Sequence, residues 1–337
     1  MKNRQNQLGA IVLMLTGLCL PIFAEHAVTK TLPTGGDGKW DYVTVDSANK
    51  LLYISRSTHM IVVKQETGAI VADIKDTPGV HGVALAPELN RGFTSNGRGN
   101  NVTVFDLKTN AVLGTVPTGD NPDAIAYDTA TKKIFTFNGK SKNATVIDAT
   151  AAPAAAAAVK TIPLAGKPEF FAFDGEGHLY INIEDTSSVQ VIDTKTLAVI
   201  NTWKIEGGEE PSGMAIDTAH HLLFLGCGGN NVMAIMDYQT GKTISTYPIG
   251  KGVDACAFDP KTGEAFATCG GDGVLTIAKA NALGKFEVTE TVKTYKGAKT
   301  MGFDPQTHTI FAPAMTPAKE GTKATSFVIL VVTKTGK

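Results

Sequence analysis

Val43-Thr44-Val45-Asp46, Val83-Ala84-Leu85-Ala86-Pro87, Ile125-Ala126-Tyr127-Asp128, Phe171-Ala172-Phe173-Asp174, Met214-Ala215-Ile216-Asp217, Cys256-Ala257-Phe258-Asp259 and Met301-Gly302-Phe303-Asp304 repeat one pattern, an apolar run closed by a turn residue. The seven closing residues lie 41 to 46 residues apart. Runs this short read as strands, and a period of roughly 40 residues is that of a four-stranded propeller blade. After the first strand each unit continues with a turn such as Asp259-Pro260-Lys261-Thr262-Gly263. A second strand such as Leu223-Phe224-Leu225 follows, then a third such as Val102-Thr103-Val104-Phe105-Asp106, then a fourth. We call these strands a, b, c and d. The middle residue of strand a is Thr44, Ala84, Ala126, Ala172, Ala215, Ala257 or Gly302. Seven innermost strands crowding one axis leave no room for bulk there, so packing alone accounts for this stripe. The expected fold is all-β, a seven-bladed propeller of four-stranded blades.

The ends of the chain indicate how the ring closes. Strand d recurs as Gly114-Thr115-Val116-Pro117, Lys160-Thr161-Ile162-Pro163 and Ser245-Thr246-Tyr247-Pro248, and Lys30-Thr31-Leu32-Pro33 has the same form ahead of the first strand a. The last repeat stops after Phe327-Val328-Ile329-Leu330-Val331-Val332, a strand c with no strand d of its own. The N-terminal segment is therefore expected to complete the last blade and remove an open sheet edge. Two segments depart from the repeat. The alanine-rich stretch 149–158 reads as a surface loop between strands c and d of the third blade. Residues 313–326 read as an insertion between strands b and c of the last, placed either to cover a channel mouth or to hang free as a loop.

Residues 1–24 carry Lys2 and Arg4, the apolar run Ile11 to Leu20, Pro21 and a terminal Ala24, the pattern of a signal peptide cleaved after Ala24. Leu18 before Cys19 argues against a lipoprotein anchor, where a small residue is needed. Residues 25–337 then form one domain, expected in the periplasm or secreted, with no membrane span. Loss of Lys2 and Arg4 leaves 29 Lys+Arg against 32 Asp+Glu, a net charge near −3 that disfavours nucleic acid as partner. Cys227, Cys256 and Cys269 remain, either as one disulfide and one thiol or as three buried thiols. Their spacing fits neither haem attachment nor structural zinc.

Phe93-Thr94-Ser95-Asn96, Tyr53-Ile54-Ser55 and Tyr180-Ile181-Asn182 are each followed by a strand, which in two of the three repeats ends in Val-Phe-Asp or Val-Ile-Asp. In these the chain resembles the YVTN-type β-propeller repeat family over residues 28–333. That resemblance implies an exported seven-bladed propeller and carries no catalytic residue, because the motif is a blade signature.

The d–a and b–c connections of a propeller surround one mouth of its channel, the default ligand face. Two positions before each strand-a triplet stand Asp41, His81, Asp123, Glu169, Ser212, Asp254 and Lys299, a titratable or hydroxyl group in all seven repeats. The ends of strand b add Arg56, Asn96, Asn138, Ile183, Cys227, Cys269 and Ala314, with His59, Arg98, Glu184 and Asp185 in nearby loops. Trp40 and Tyr42 flank Asp41, either to stack on a planar ligand or to pack between blades. His178, His220, His221 and His308 fall at the a–b turns of the opposite face, where solvation is expected.

Two function classes remain. In the first, the rim binds a small polar molecule or another exported protein, with no reaction and no cofactor, by a monomer. In the second, Asp41, Asp123, Glu169 and Asp254 hold a divalent cation such as calcium for a hydrolase or lactonase, with His81 or His59 as base. Nucleic-acid binding lacks a basic groove, and electron transfer lacks a redox ligand.

Overall fold

The computed structural model describes residues 25–36, 38–153, 158–318 and 325–335. The expected leader, 1–24, lies outside the described residues. The remainder is seven four-stranded antiparallel sheets around a common axis, a seven-bladed β-propeller. In blade 5 the order runs from strand a (Pro211–Asp217) through b (Leu222–Cys227) and c (Val232–Asp237) to d (Lys242–Pro248). The other blades follow it. Alternation along each strand sends one side chain toward each neighbouring blade, so the core is a set of blade-to-blade seams and not one central mass. One such seam joins Phe135, Phe137, Ile181 and Leu179 of the third and fourth blades.

Closure follows the expected course. Strand His26–Pro33 pairs antiparallel with Phe327–Lys334, in register from His26↔Lys334 to Pro33↔Val328 with one bulge between Val28 and Lys30. Leu32 is buried in the seam with Ile54, Val63 and Ile329, so the chain ends are joined by side chains as well as by backbone hydrogen bonds. The small strand-a stripe is also explained by contact: a Cβ added to Gly302 would lie 2.7 Å from Val45 Cγ2.

The two irregular segments differ in detail from expectation, and the cysteines are settled. Strand b of the last blade continues to Met315, so the insertion begins after it and not at Pro313. Thr316 N–H donates to the Ser326 carbonyl at 2.9 Å and ties its two ends together, while residues 319–324 lie outside the described residues. The alanine-rich stretch is anchored where it starts. Ala149 is fully buried, and Arg91 donates to the carbonyls of Ala149 and Ala151 at 2.6 and 2.7 Å. Cys227, Cys256 and Cys269 are three buried free thiols. Among the described residues no helix is long and apolar enough to cross a membrane.

Candidate functional site at the channel mouth

Four of the rim positions, Asp41, Asp123, Ser212 and Lys299, hang on side-chain hydrogen bonds to their backbone. Ser95 Oγ, in strand b of blade 2, accepts from Gly82 N–H at 3.0 Å and donates to the Asp123 carbonyl of blade 3. Thr268 does the same for the Lys299 carbonyl at 2.6 Å, and Thr300 for that of Asp41 at 2.6 Å. Ser55 Oγ accepts from Asp41 N–H at 2.9 Å, and Asn182 Nδ2 donates to the Ser212 carbonyl at 2.9 Å. The polar residues of the Tyr-Ile-Ser, Thr-Ser and Tyr-Ile-Asn signatures thus fix the rim backbone. Buried hydroxyls and amides satisfied in this way set position as well as stability.

On that frame the carboxylates converge. His81 Nδ1 lies 2.7 Å from Asp41 Oδ2 and 3.5 Å from Asp123 Oδ1. Lys299 bonds Asp254 and approaches Asp41 Oδ1 at 3.5 Å, while Ser212 Oγ donates to Asp254 Oδ1 at 2.8 Å. Lys167 bridges Glu169 at 2.6 Å and Glu184 at 2.5 Å. Five carboxylates therefore face two lysines and one histidine in the ion pairs of this rim.

Crowding of like charge shows in the ionisation of the group. Burial, then the Asp123 charge, push the Glu169 carboxyl up to about 8, against the pull of Lys167. Burial also raises Asp123, opposed by His81 and reinforced by Asp41 and Asp254. For His81, burial opposes the imidazolium, but the Asp41 hydrogen bond and the Asp123 charge more than offset it, so its pKa is raised.

Next to this ring lies an aromatic pair, joining two blades, that sequence reading missed. Tyr42 of blade 1 stacks on Phe170 of blade 4, with ring centroids 4.6 Å apart and planes at 29°. The Tyr42 hydroxyl is buried without a hydrogen-bond partner, and burial together with the charges of Asp123, Glu169, Asp41 and Asp254 raises its pKa well above the ordinary value. Tyr42 directly follows Asp41 in the chain, and Phe170 directly follows Glu169, so the stack adjoins the acidic ring. On the far side of the pair a cavity of about 550 Å³ opens toward the a–b turns, lined by Val45, Val83, Leu85, Ile125, Phe171 and Phe173. The channel is polar above the stack and apolar below it. Lys167-Pro168-Glu169-Phe170 was the sequence signal for half of this arrangement, with Lys167 as an unassigned cation.

The second predicted ring is displaced from the mouth. Arg56, Asn96, Asn138, Ile183, Cys227, Cys269 and Ala314 are each no more than 1 % exposed. Strand alternation turns this position into the blade-to-blade seam, one face away from the residue before it. Asn96 Nδ2 donates to Asn101 Oδ1 at 2.7 Å and Thr103 Oγ1 at 2.8 Å, and Asn138 repeats this with Asn143 and Thr145. The ligand-binding expectation for Arg56, Asn96 and Asn138 is thereby corrected to a structural one. His59 is half-buried with Nδ1 3.2 Å from Thr58 Oγ1, and Arg98 is exposed; neither enters the hydrogen bonds or ion pairs of the rim. Trp40 packs on Phe327, with centroids 5.4 Å apart. On the opposite face His178, His220 and His308 pair with Asp174, Asp217 and Asp259 at 2.7, 2.7 and 2.8 Å, His220 while largely exposed.

Of the four carboxylates expected to share a cation, only Asp41 and Asp123 converge. With His81 their ligand atoms lie within 4.8 Å of one another. Glu169 and Asp254 are instead held by lysines.

No family model matches the chain, and no curated protein does. Solved structures similar to it share its fold. A chain of Kuenenia stuttgartiensis hydrazine synthase is 16% identical with a TM-score of 0.69, covering 88% of this chain and 95% of that one. A chain of the mitotic checkpoint complex is 13% identical with a TM-score of 0.74, covering 97% and 99%.

Proposed function

We propose that this protein is an exported propeller of YVTN type that binds a small, positively charged polar ligand at the channel mouth and performs no reaction on it. The observation that carries this reading is the surplus of carboxylates above an aromatic floor, Asp41, Asp123, Glu169 and Asp254 over Tyr42 and Phe170. Buried like charges destabilise one another, and a cation entering the ring removes that repulsion. An aromatic face beneath the ligand adds cation–π attraction for an ammonium or guanidinium group.

Calorimetric titration with diamines, arginine and choline is the direct test. Asp123→Asn combined with Glu169→Gln removes two charge-assisted contacts, each worth about 1.5–3 kcal/mol, so affinity should fall roughly 100-fold or more. Equal binding by this variant, or no binding of any cation by the parent protein, defeats the reading.

Glu169 also makes a pH prediction. Its folded-state pKa of about 8 exceeds the ordinary 4.5, so between these values the folded protein holds the extra proton. Stability without ligand should therefore fall as pH rises from about 4.5 to 8, and Glu169→Gln should flatten that decline. Melting curves of the two proteins across this range check it, and parallel curves would contradict it. Cation affinity should move the opposite way, weakening as pH drops below 8.

Asp41, His81 and Asp123 favour a second reading, a divalent cation held by two carboxylates and one imidazole. Such an ion would supply a polarised water for hydrolysis, with the three residues as its ligands. Metal analysis of the purified protein, with Asp123→Asn as comparison, separates this from an organic cation.

A further inference from the structure

We infer that the ring closure carries a second, separate metal site, formed by Glu25, His26 and Glu264, for a divalent cation of zinc type. Glu25 and His26 belong to the N-terminal segment that completes blade 7, whereas Glu264 opens strand b of blade 6 (Glu264–Cys269). One carboxylate or imidazole atom from each lies within 4.8 Å of the other two. An ion held there would pin the closing strand to the adjacent blade.

The hydrogen bonds around His26 leave one nitrogen aimed at an unsatisfied acid. His26 is 4% exposed, and its Nδ1 lies 3.0 Å from Glu290 Oε2, while its backbone N–H donates to Glu290 Oε1 at 3.0 Å. A carboxylate on Nδ1 holds a proton there, and in the neutral ring this leaves the Nε2 lone pair outward, the orientation that second-sphere carboxylates impose on metal-binding histidines. Nε2 faces Glu264 Oε2 at 3.8 Å. That oxygen is buried and has no hydrogen-bond partner, although Glu264 itself is only 4% exposed. At 3.8 Å the pair is too far apart for a direct hydrogen bond, and with the ring neutral the two electron-rich atoms repel unless a cation lies between them. With metal–nitrogen and metal–oxygen distances of about 2.0–2.2 Å, one ion reaches both.

Lys334 does not fill this role. Its Nζ lies 2.9 Å from Glu264 Oε1 and 3.4 Å from Glu25 Oε2, so it satisfies the other Glu264 oxygen and leaves Oε2 open. One imidazole with two carboxylates suits zinc and its neighbours better than calcium, which prefers an all-oxygen shell.

The test uses the whole protein, stripped with chelator and titrated with zinc. One equivalent should bind and raise the melting temperature. His26→Gln and Glu264→Gln should abolish both effects, and Glu290→Gln should weaken zinc binding about 10- to 100-fold. Zinc taken up at the channel mouth would add a second equivalent that is lost in Asp123→Asn, whereas the equivalent and the stabilisation lost in His26→Gln should persist in Asp123→Asn, which separates this site from the one proposed above. Should the variants fold poorly, X-ray absorption on the zinc-loaded parent protein decides the matter. One nitrogen and two or more oxygen ligands from the protein are expected. No zinc bound, a shell without imidazole, or zinc binding and stabilisation lost in Asp123→Asn but retained in His26→Gln overturns the proposal. So does a melting temperature that depends on His26 and pH but not on zinc, because a protonated His26 would then be the buried cation.

Discussion

Deletion of residues 25–36 is expected to leave a chain without a cooperative folding transition. The segment supplies the whole fourth strand of the last blade, with backbone pairing from His26 to Pro33. It also carries Leu32 into the seam with Ile54 and Ile329, and His26 to its contacts with Glu264 and Glu290 on blade 6. Removal exposes the edge of Phe327–Lys334, whose Phe327, Ile329 and Val331 lie in the same seam. An uncovered apolar strand edge pairs with other chains, so aggregation accompanies the loss. The propeller gains its stability from repeat-to-repeat contacts, and an open ring forfeits the one interface that joins first to last. Calorimetry and light scattering on the deletion protein check this. A sharp transition within a few degrees of the parent would mean that blade 7 stands with three strands.

Replacing Arg56 by alanine should produce a large loss of stability, about 4 kcal/mol. Arg56 is 1% exposed and donates to the carbonyls of Gly35, Gly36 and Gly38 at 3.1, 2.7 and 2.9 Å. Its guanidinium carbon also lies 3.7 Å from the centroid of Phe327. Bonds to a charged donor contribute about 1.5–3 kcal/mol each, less than additively, and the truncation leaves a cavity besides. The geometry explains the size of the effect. One planar group gathers the turn after the closing strand, the end of strand b in blade 1 and the first residue of strand c in blade 7. Lysine keeps the charge but not the fork of donors, so Arg56→Lys should recover only part of the loss. Denaturant titration with an unchanged slope measures both, and a deficit below about 1 kcal/mol for Arg56→Ala would contradict this account.

Blade count, the order of strands, the small stripe on strand a and the closure were legible because they repeat. A pattern written seven times is averaged over its own variations, and period and strand alternation follow from backbone geometry alone. The first rim ring was legible for the same reason: Asp41, His81, Asp123, Glu169, Ser212, Asp254 and Lys299 hold equivalent positions. The second ring failed by one residue. Ser95 and Asn96 are neighbours in sequence, yet Ser95 bonds the rim backbone across the blade interface and Asn96 is sealed in the seam. Polarity alone does not tell which of two adjacent polar residues faces which blade. The stack of Tyr42 on Phe170 and the bridge from Lys167 to Glu169 and Glu184 lay beyond reach as well: Tyr42 and Phe170 hold the same place in their repeats, one after the rim residue, but the period does not say which side chains meet across the ring, and the lysine bridge occurs once.

The sequence by itself thus determined the architecture, the joining of the chain ends and the face on which charge collects. Only the tertiary structure decided which charges meet. Closing seven blades around one axis brings Asp41, His81 and Asp123 from three consecutive repeats to a single point, while lysines draw Glu169 and Asp254 aside. Those distances depend on side-chain direction and on the radius of the closed ring. Both are properties of the assembled molecule, and no single repeat encodes them.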